Sequence, residues 1–188
     1  MAYDHHSAWA NTKALEIAGA LGGAPTGPNS AIVIGADGLA TGELVEPAAY
    51  CVVLRHFESW GRTVKGLMGT TAGAPRLNPT RERRWLREGL KLAARSGITS
   101  VHNMDGDAEQ AAFYAGMEAD GELTLRVNIP YSIFPTTRID ALDEADDMAR
   151  RHTGSRLRSG RVKLFMDGVL ESWTALLIDD YADKPGCR

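Results

Sequence analysis

Cysteine is scarce in this chain: there are two in 188 residues, Cys51 and Cys187, far apart in sequence. Such a pair makes no disulfide framework and fits a reducing compartment. No apolar run is long enough to span a bilayer and the N-terminus has no signal-peptide layout, so the expected location is cytoplasmic, with no membrane partner. An excess of one charge is also lacking. The net charge is -3, which gives no electrostatic footprint for nucleic acid, and the mixed run Arg81-Glu82-Arg83-Arg84 reads as a solvated helix face. A Walker-type loop is missing and no Gly-x-Gly-x-x-Gly follows a strand, which argues against a nucleotide-binding α/β protein. The five histidines are His5, His6, His56, His102 and His152, and no two of them form His-x-His.

What is present is an ordinary globular composition, 44% hydrophobic and 24% charged, in a chain long enough to bury its own core. Residues 4–11 lead into a helical pattern with Ser7 as N-cap, carrying Ala14, Leu15, Ala18 and Leu21 on one stripe until Gly22-Gly23 stops it. Residues 31–34 and 39–44 flank Asp37-Gly38, a hairpin signal. A second helix starts near Pro47 and runs through Tyr50, Val53, Leu54 and Phe57, and the Gly-, Thr- and Pro-rich residues 66–77 read as a loop.

From there the rhythm is regular. Asn78-Pro79 opens a helix with Trp85, Leu86, Leu90, Ala93 and Ala94 on one face, closed by Gly97. Residues 98–101 form a strand. A helix with Ala108, Ala111, Ala112, Ala115 and Met117 ends at Asp120-Gly121, and a strand over 123–133 is interrupted by Pro130. A third helix carries Ile139, Leu142, Ala145 and Ala149 before Gly160 introduces another strand. Units of roughly 30 residues alternating strand and helix predict a parallel α/β architecture.

In that last strand Val162, Leu164 and Met166 alternate with Lys163 and Phe165, so it reads as short and buried, opening into a loop at Asp167-Gly168. A lysine inside such a strand is costly to bury uncompensated. Either it snorkels or pairs with a carboxylate, or it sits in an active site. Two further strand ends carry polar groups: His102, Asn103 and Asp105 at one, Tyr131 and Ser132 at the next. Parallel α/β folds keep their chemistry at the carboxyl ends of strands.

Several of these residues form an ordered series. Asp4-x-His6-Ser7-Ala8-Trp9-x-Asn11-x-Lys13-Ala14-Leu15 resembles a signature of the YtcJ-like branch of amidohydrolase family 3, which includes N-substituted formamide deformylases. Asp37-Gly38-x-x-Thr41-Gly42-x-Leu44-x-Glu46, Gly97-Ile98-Thr99-Ser100-Val101-His102 and Val162-Lys163-Leu164-Phe165-x-Asp167-Gly168 resemble further signatures in order. Thr174-Ala175 and Tyr181-x-Asp183-x-Pro185-Gly186 extend the likeness to residue 186. The resemblance implies a (β/α)8 TIM barrel hydrolase that uses a divalent metal, zinc above all, to activate water against non-peptide C–N bonds of small amides or formamides. Lys163 matches the family's carboxylated metal-bridging lysine. The family's other ligands, a His-x-His before it and histidines and an aspartate after it, have no counterpart here.

The chain is therefore expected to be α/β, a partial (β/α)8 barrel of strands two to four over residues 78–188. A helix, hairpin and loop insertion over residues 1–77 precedes it. It reads as the central section of a longer amidohydrolase, inactive alone because catalytic zinc needs three protein ligands. The alternative is a non-catalytic truncated module that self-associates through unpaired strand edges, and a homo-oligomer is expected. His102 faces the substrate or metal surroundings, or is a hydrogen-bonded structural histidine. His6, Trp9 and Asn11 line the substrate pocket by resemblance, or serve capping and packing. Asp167 orients the lysine or makes an Asx-type turn. At Trp173 the family often has arginine, so substrate preference stays open. His56 and His152 are expected at the surface.

Overall fold

The computed structural model describes every residue except 4, 28, 69–77, 135–136 and 188. Asp4 of the first signature and residues 69–77 of the expected 66–77 loop thus lie outside the described residues. The structure is mixed α/β and divides into two compact units, residues 1–76 with 165–188, and residues 77–164. No helix among the described residues is long and apolar enough to cross a membrane.

In the first unit, β1 (Ser7–Trp9), β2 (Ala31–Ile34) and β3 (Ala40–Val45) form an antiparallel sheet in the order β1-β3-β2, with α1 (Thr12–Ile17) between β1 and β2. The expected hairpin is formed by β2 and β3: Leu39 N–H donates to Asp37 Oδ1 at 3.1 Å and Gly38 takes φ +78°. The expected helix lead-in is instead strand β1. Ser7, Ala8 and Trp9 pair with Val45, Leu44 and Glu43, so a distant strand takes the backbone groups a helix would have used. The N-cap moves to Asn11, whose side chain accepts the Ala14 N–H at 2.9 Å, and α1 ends at Ala18, short of Gly22-Gly23.

Helix α2 (Pro47–Leu54) starts on Pro47 as its sequence suggests and buries Ala49, Tyr50, Cys51 and Val53. Burial pushes the Cys51 thiol up to about 12, against the opposing pull of Arg55, so this cysteine is inert. A 3-10 turn at Glu58–Trp60 leads to α3 (Gly61–Met68). Its last turn corrects the loop expected from Gly66: Val64 joins the core of Leu15, Ile32, Leu44 and Tyr50, and that packing holds a helix through Gly66.

The second unit repeats one theme. Helix α4 (Pro79–Arg95), capped by Asn78 through the Arg81 N–H, is followed by β4 (Ser100–His102) and α5 (Ala108–Ala119), which Asp107 caps. Then come β5 (Arg126–Asn128), β6 (Tyr131–Ile133), α6 (Leu142–Arg151), β7 (Leu157–Arg158) and β8 (Val162–Leu164). β4, β5 and β7 pair in parallel in that order, as do β6 and β8. The expected 123–133 strand is therefore split at Pro130, which has no N–H to give. Its partner breaks at Gly160, at φ +130°. Pairing changes from Asn128↔Arg158 to Tyr131↔Val162, a slip of one residue, while Ile129 N–H to Arg158 O and Tyr131 N–H to Arg161 O carry the ladder across.

Val101, Val127, Ile129 and Leu157 pack on Leu90, Ala111, Met117 and Met148, so the helices cover one face of this sheet. The Tyr131 hydroxyl donates to Glu144 at 2.7 Å, and burial together with that carboxylate raises the phenol to about 12. On the surface, Arg87 and Arg83 grip Glu122, joining α4 to the turn before β5.

The strand carrying Lys163 differs from its expectation. Lys163 is half-buried, but Val162 is 50%, Leu164 49% and Met166 85% exposed. Among the described residues β8 has one neighbour, β6, and little packs over its alternating side chains. His56 is exposed as expected. His152 is half-buried, and desolvation lowers its pKa.

Candidate functional site

Residues paired across a parallel ladder share a face of the sheet. His102, Asn128 and Arg158 lie on one such row, Ser132 and Lys163 on another. Tyr131 reaches Glu144 of α6, so its neighbour Ser132, and Lys163 beside it, are on the face turned away from that helix. Level with Lys163 comes the loop after β4, not the end of β4 itself. Gly106 N–H donates to Ser132 Oγ at 3.0 Å, and Ser132 N–H donates to Gly106 O at 2.9 Å. A side chain at Gly106 would strike the Pro130 carbonyl and Ile129, so this approach requires glycine.

His102 pairs with Asn128, four positions before Ser132, which puts it roughly 13 Å short of Lys163 along the strands. The fold thus brings Gly106, Ser132 and Lys163 to one level and leaves His102 exposed at another. Asn103 makes the intervening turn, its Oδ1 accepting the Asp105 N–H at 3.2 Å.

The other five candidates, His6, Trp9, Asn11, Asp167 and Trp173, belong to the first unit. Asn11 caps α1 and Trp9 is exposed on β1. Asp167 accepts the Leu176 N–H at 3.0 Å, closing a loop in which Gly168 N–H donates to Thr174 O. Trp173 sits in that loop at φ +54°, donates its indole N–H to Asp183 at 3.2 Å, and carries the Lys184 ammonium 4.6 Å from its ring centroid.

His6 leads to a group that sequence reasoning missed. Glu46, only 7% exposed and held at φ +67°, stands at the N-cap of α2 without capping it. Its carboxylate instead accepts from His6 Nδ1 at 3.0 Å, Ser172 Oγ at 2.9 Å and Thr174 Oγ1 at 2.6 Å. Thr174 Oγ1 in turn accepts the Val169 N–H at 3.0 Å. Both His6 and Ser172 bond to the carboxylate, so this is no nucleophile-base relay, which would need the imidazole between the other two. A signal was available in the sequence: Gly42, Leu44 and Glu46 share the buried parity of one strand.

The sequence profile of the amidohydrolase family, family 3, matches residues 1–188. The chain belongs to that family. No curated protein and no solved structure matches it. Amidohydrolases generally use divalent metals and act on small molecules. Among the described residues of this amidohydrolase, however, no three His, Cys, Asp or Glu side chains converge to hold a metal ion. Lys163 is a single donor, and a catalytic zinc takes three protein ligands. The described residues do not fit a complete metal centre.

Proposed function

We propose that this chain supplies part of a hydrolase acting on the C–N bonds of small amides or formamides, in a protein whose complete form is a metal-dependent (β/α)8 barrel. The observation that carries this reading is the family match over the whole chain. The parallel strands, with Lys163 in the middle of β8, support it. In this reading Lys163 is the carboxylated lysine of a zinc site. In the first unit His6, Trp9, Asn11 and Trp173 line the path of the substrate and Asp167 closes its loop, while His102, level with Asn128, lies away from Lys163. Because no metal centre is complete among the described residues, no catalytic step is assigned to this chain. Metal analysis of the purified protein, with an N-formyl amide hydrolysis assay, tests the reading: substoichiometric zinc and no turnover are expected. Stoichiometric zinc with turnover would show the chain to be an enzyme by itself.

A second reading is a self-associating module without catalysis. The exposed Val162 and Leu164 of β8 favour it, since an apolar strand that has one neighbour among the described residues is a template for another chain. Sedimentation velocity over a concentration series separates the two. A monodisperse monomer that melts cooperatively rules out the module.

A further inference from the structure

We infer that Glu46 is a positioning residue, a clasp that holds the loop over residues 167–175 in one conformation and thereby sets Trp173. Three observations carry this. The first is chemical. A buried carboxylate needs donors, and each of the three side-chain donors seen here comes from outside the helix that Glu46 begins: His6 from before β1, Ser172 and Thr174 from the loop. The second is backbone strain. Glu46 at φ +67° and Trp173 at φ +54° are non-glycine residues in the left-handed region. Such residues persist only where surrounding contacts over-determine them. The third is the connection onward. Thr174 Oγ1, which donates to Glu46, also accepts the Val169 N–H, and Gly168 N–H donates to Thr174 O. No side chain fits at Gly168, because its place is taken by Thr174.

The clasp therefore closes the loop across its base and turns Trp173 outward, against Asp183 and Lys184. The functional meaning of the loop, as the segment following Lys163 in the chain and carrying Asp167 and Trp173, rests on the proposed hydrolase reading. The clasp itself does not.

The test uses the 188-residue chain and needs no substrate or metal. Backbone hydrogen exchange is measured for wild type, Glu46→Ala and Glu46→Gln, alongside the Trp173 indole N–H resonance, assigned by its loss in Trp173→Phe. In Glu46→Ala the amides of Gly168, Val169 and Thr174 are expected to exchange at least about tenfold faster and the indole resonance to move, with the amides of β4, β5 and α5 unchanged. Glu46→Gln is expected to keep most of the protection. Its amide oxygen still accepts from both hydroxyls, and His6 needs only to change tautomer to accept from the amide nitrogen. If Glu46→Ala does not fold, the pair Ser172→Ala with Thr174→Val opens the same contact from the loop side and carries the same expectations. Unchanged loop exchange would overturn the clasp, as would equal acceleration throughout both units. Because metal content and hydrolysis are not read, failure here leaves the hydrolase reading standing, and the reverse also holds.

Discussion

Two glycines and two charged residues carry much of the local logic. Gly106 lies so close to the Pro130 carbonyl and Ile129 that Gly106→Ala must push the loop after β4 away from that segment. A loss of about 1–3 kcal/mol is expected, the usual cost of overpacking, read as a lower denaturation midpoint with the slope unchanged. Gly168 faces the same constraint beside Thr174. Lys163 is the instructive case among charged residues. Its strand pattern suggested a buried cation, but the fold leaves it half-buried on a strand with one neighbour among the described residues. Glu46 is the reverse. Its strand parity marks it as buried, but its partners come from elsewhere in the chain, His6 and, more than a hundred positions away, Ser172 and Thr174.

At the scale of elements, the helices follow from local signals better than the strands do. Asn78, Asp107 and Asn11 each cap a helix by accepting a backbone N–H three residues on. Asn78→Ala is expected to cost about 1 kcal/mol, seen as a lower melting temperature and lost helical circular dichroism from α4. Caps and apolar stripes are properties of neighbouring residues, so they are visible in sequence. Strand β1 was not, because residues 7–9 become a strand only by pairing with β3. The split at Pro130 was legible, whereas its matching break at Gly160, which keeps β7 and β8 in step, depends on the partner strand.

At the scale of the molecule, the two units have separate cores, each with its own strands and helices. In the second unit the Arg83 and Arg87 guanidiniums hold the Glu122 carboxyl down at about 2, from an ordinary 4.5, chiefly through the Arg87 hydrogen bonds. A carboxyl depressed on folding contributes stability above its unfolded pKa, and this contribution is lost as pH falls from about 4.5 toward 2. Glu122→Gln is therefore expected to melt lower than wild type near neutral pH, with the gap in melting temperature closing as the pH drops to about 2. Because these side chains are at the surface, added salt should narrow the gap as well. A gap that stayed constant with pH would show that the arginines do not act through the charge of Glu122.

By itself the sequence determined the family, the alternation of helix and strand after residue 78, the hairpin at Asp37-Gly38 and the helix start at Asn78-Pro79, because each rests on short-range patterns or ordered motifs. Only the tertiary structure decided that β1 is a strand and that β8 is open to solvent on its apolar side chains. It also decided that Gly106, not His102, comes level with Lys163, and that Glu46 gathers His6, Ser172 and Thr174. These depend on which distant backbone and side-chain groups meet. Hydrogen-bond donors must find acceptors somewhere, and the local sequence does not say where.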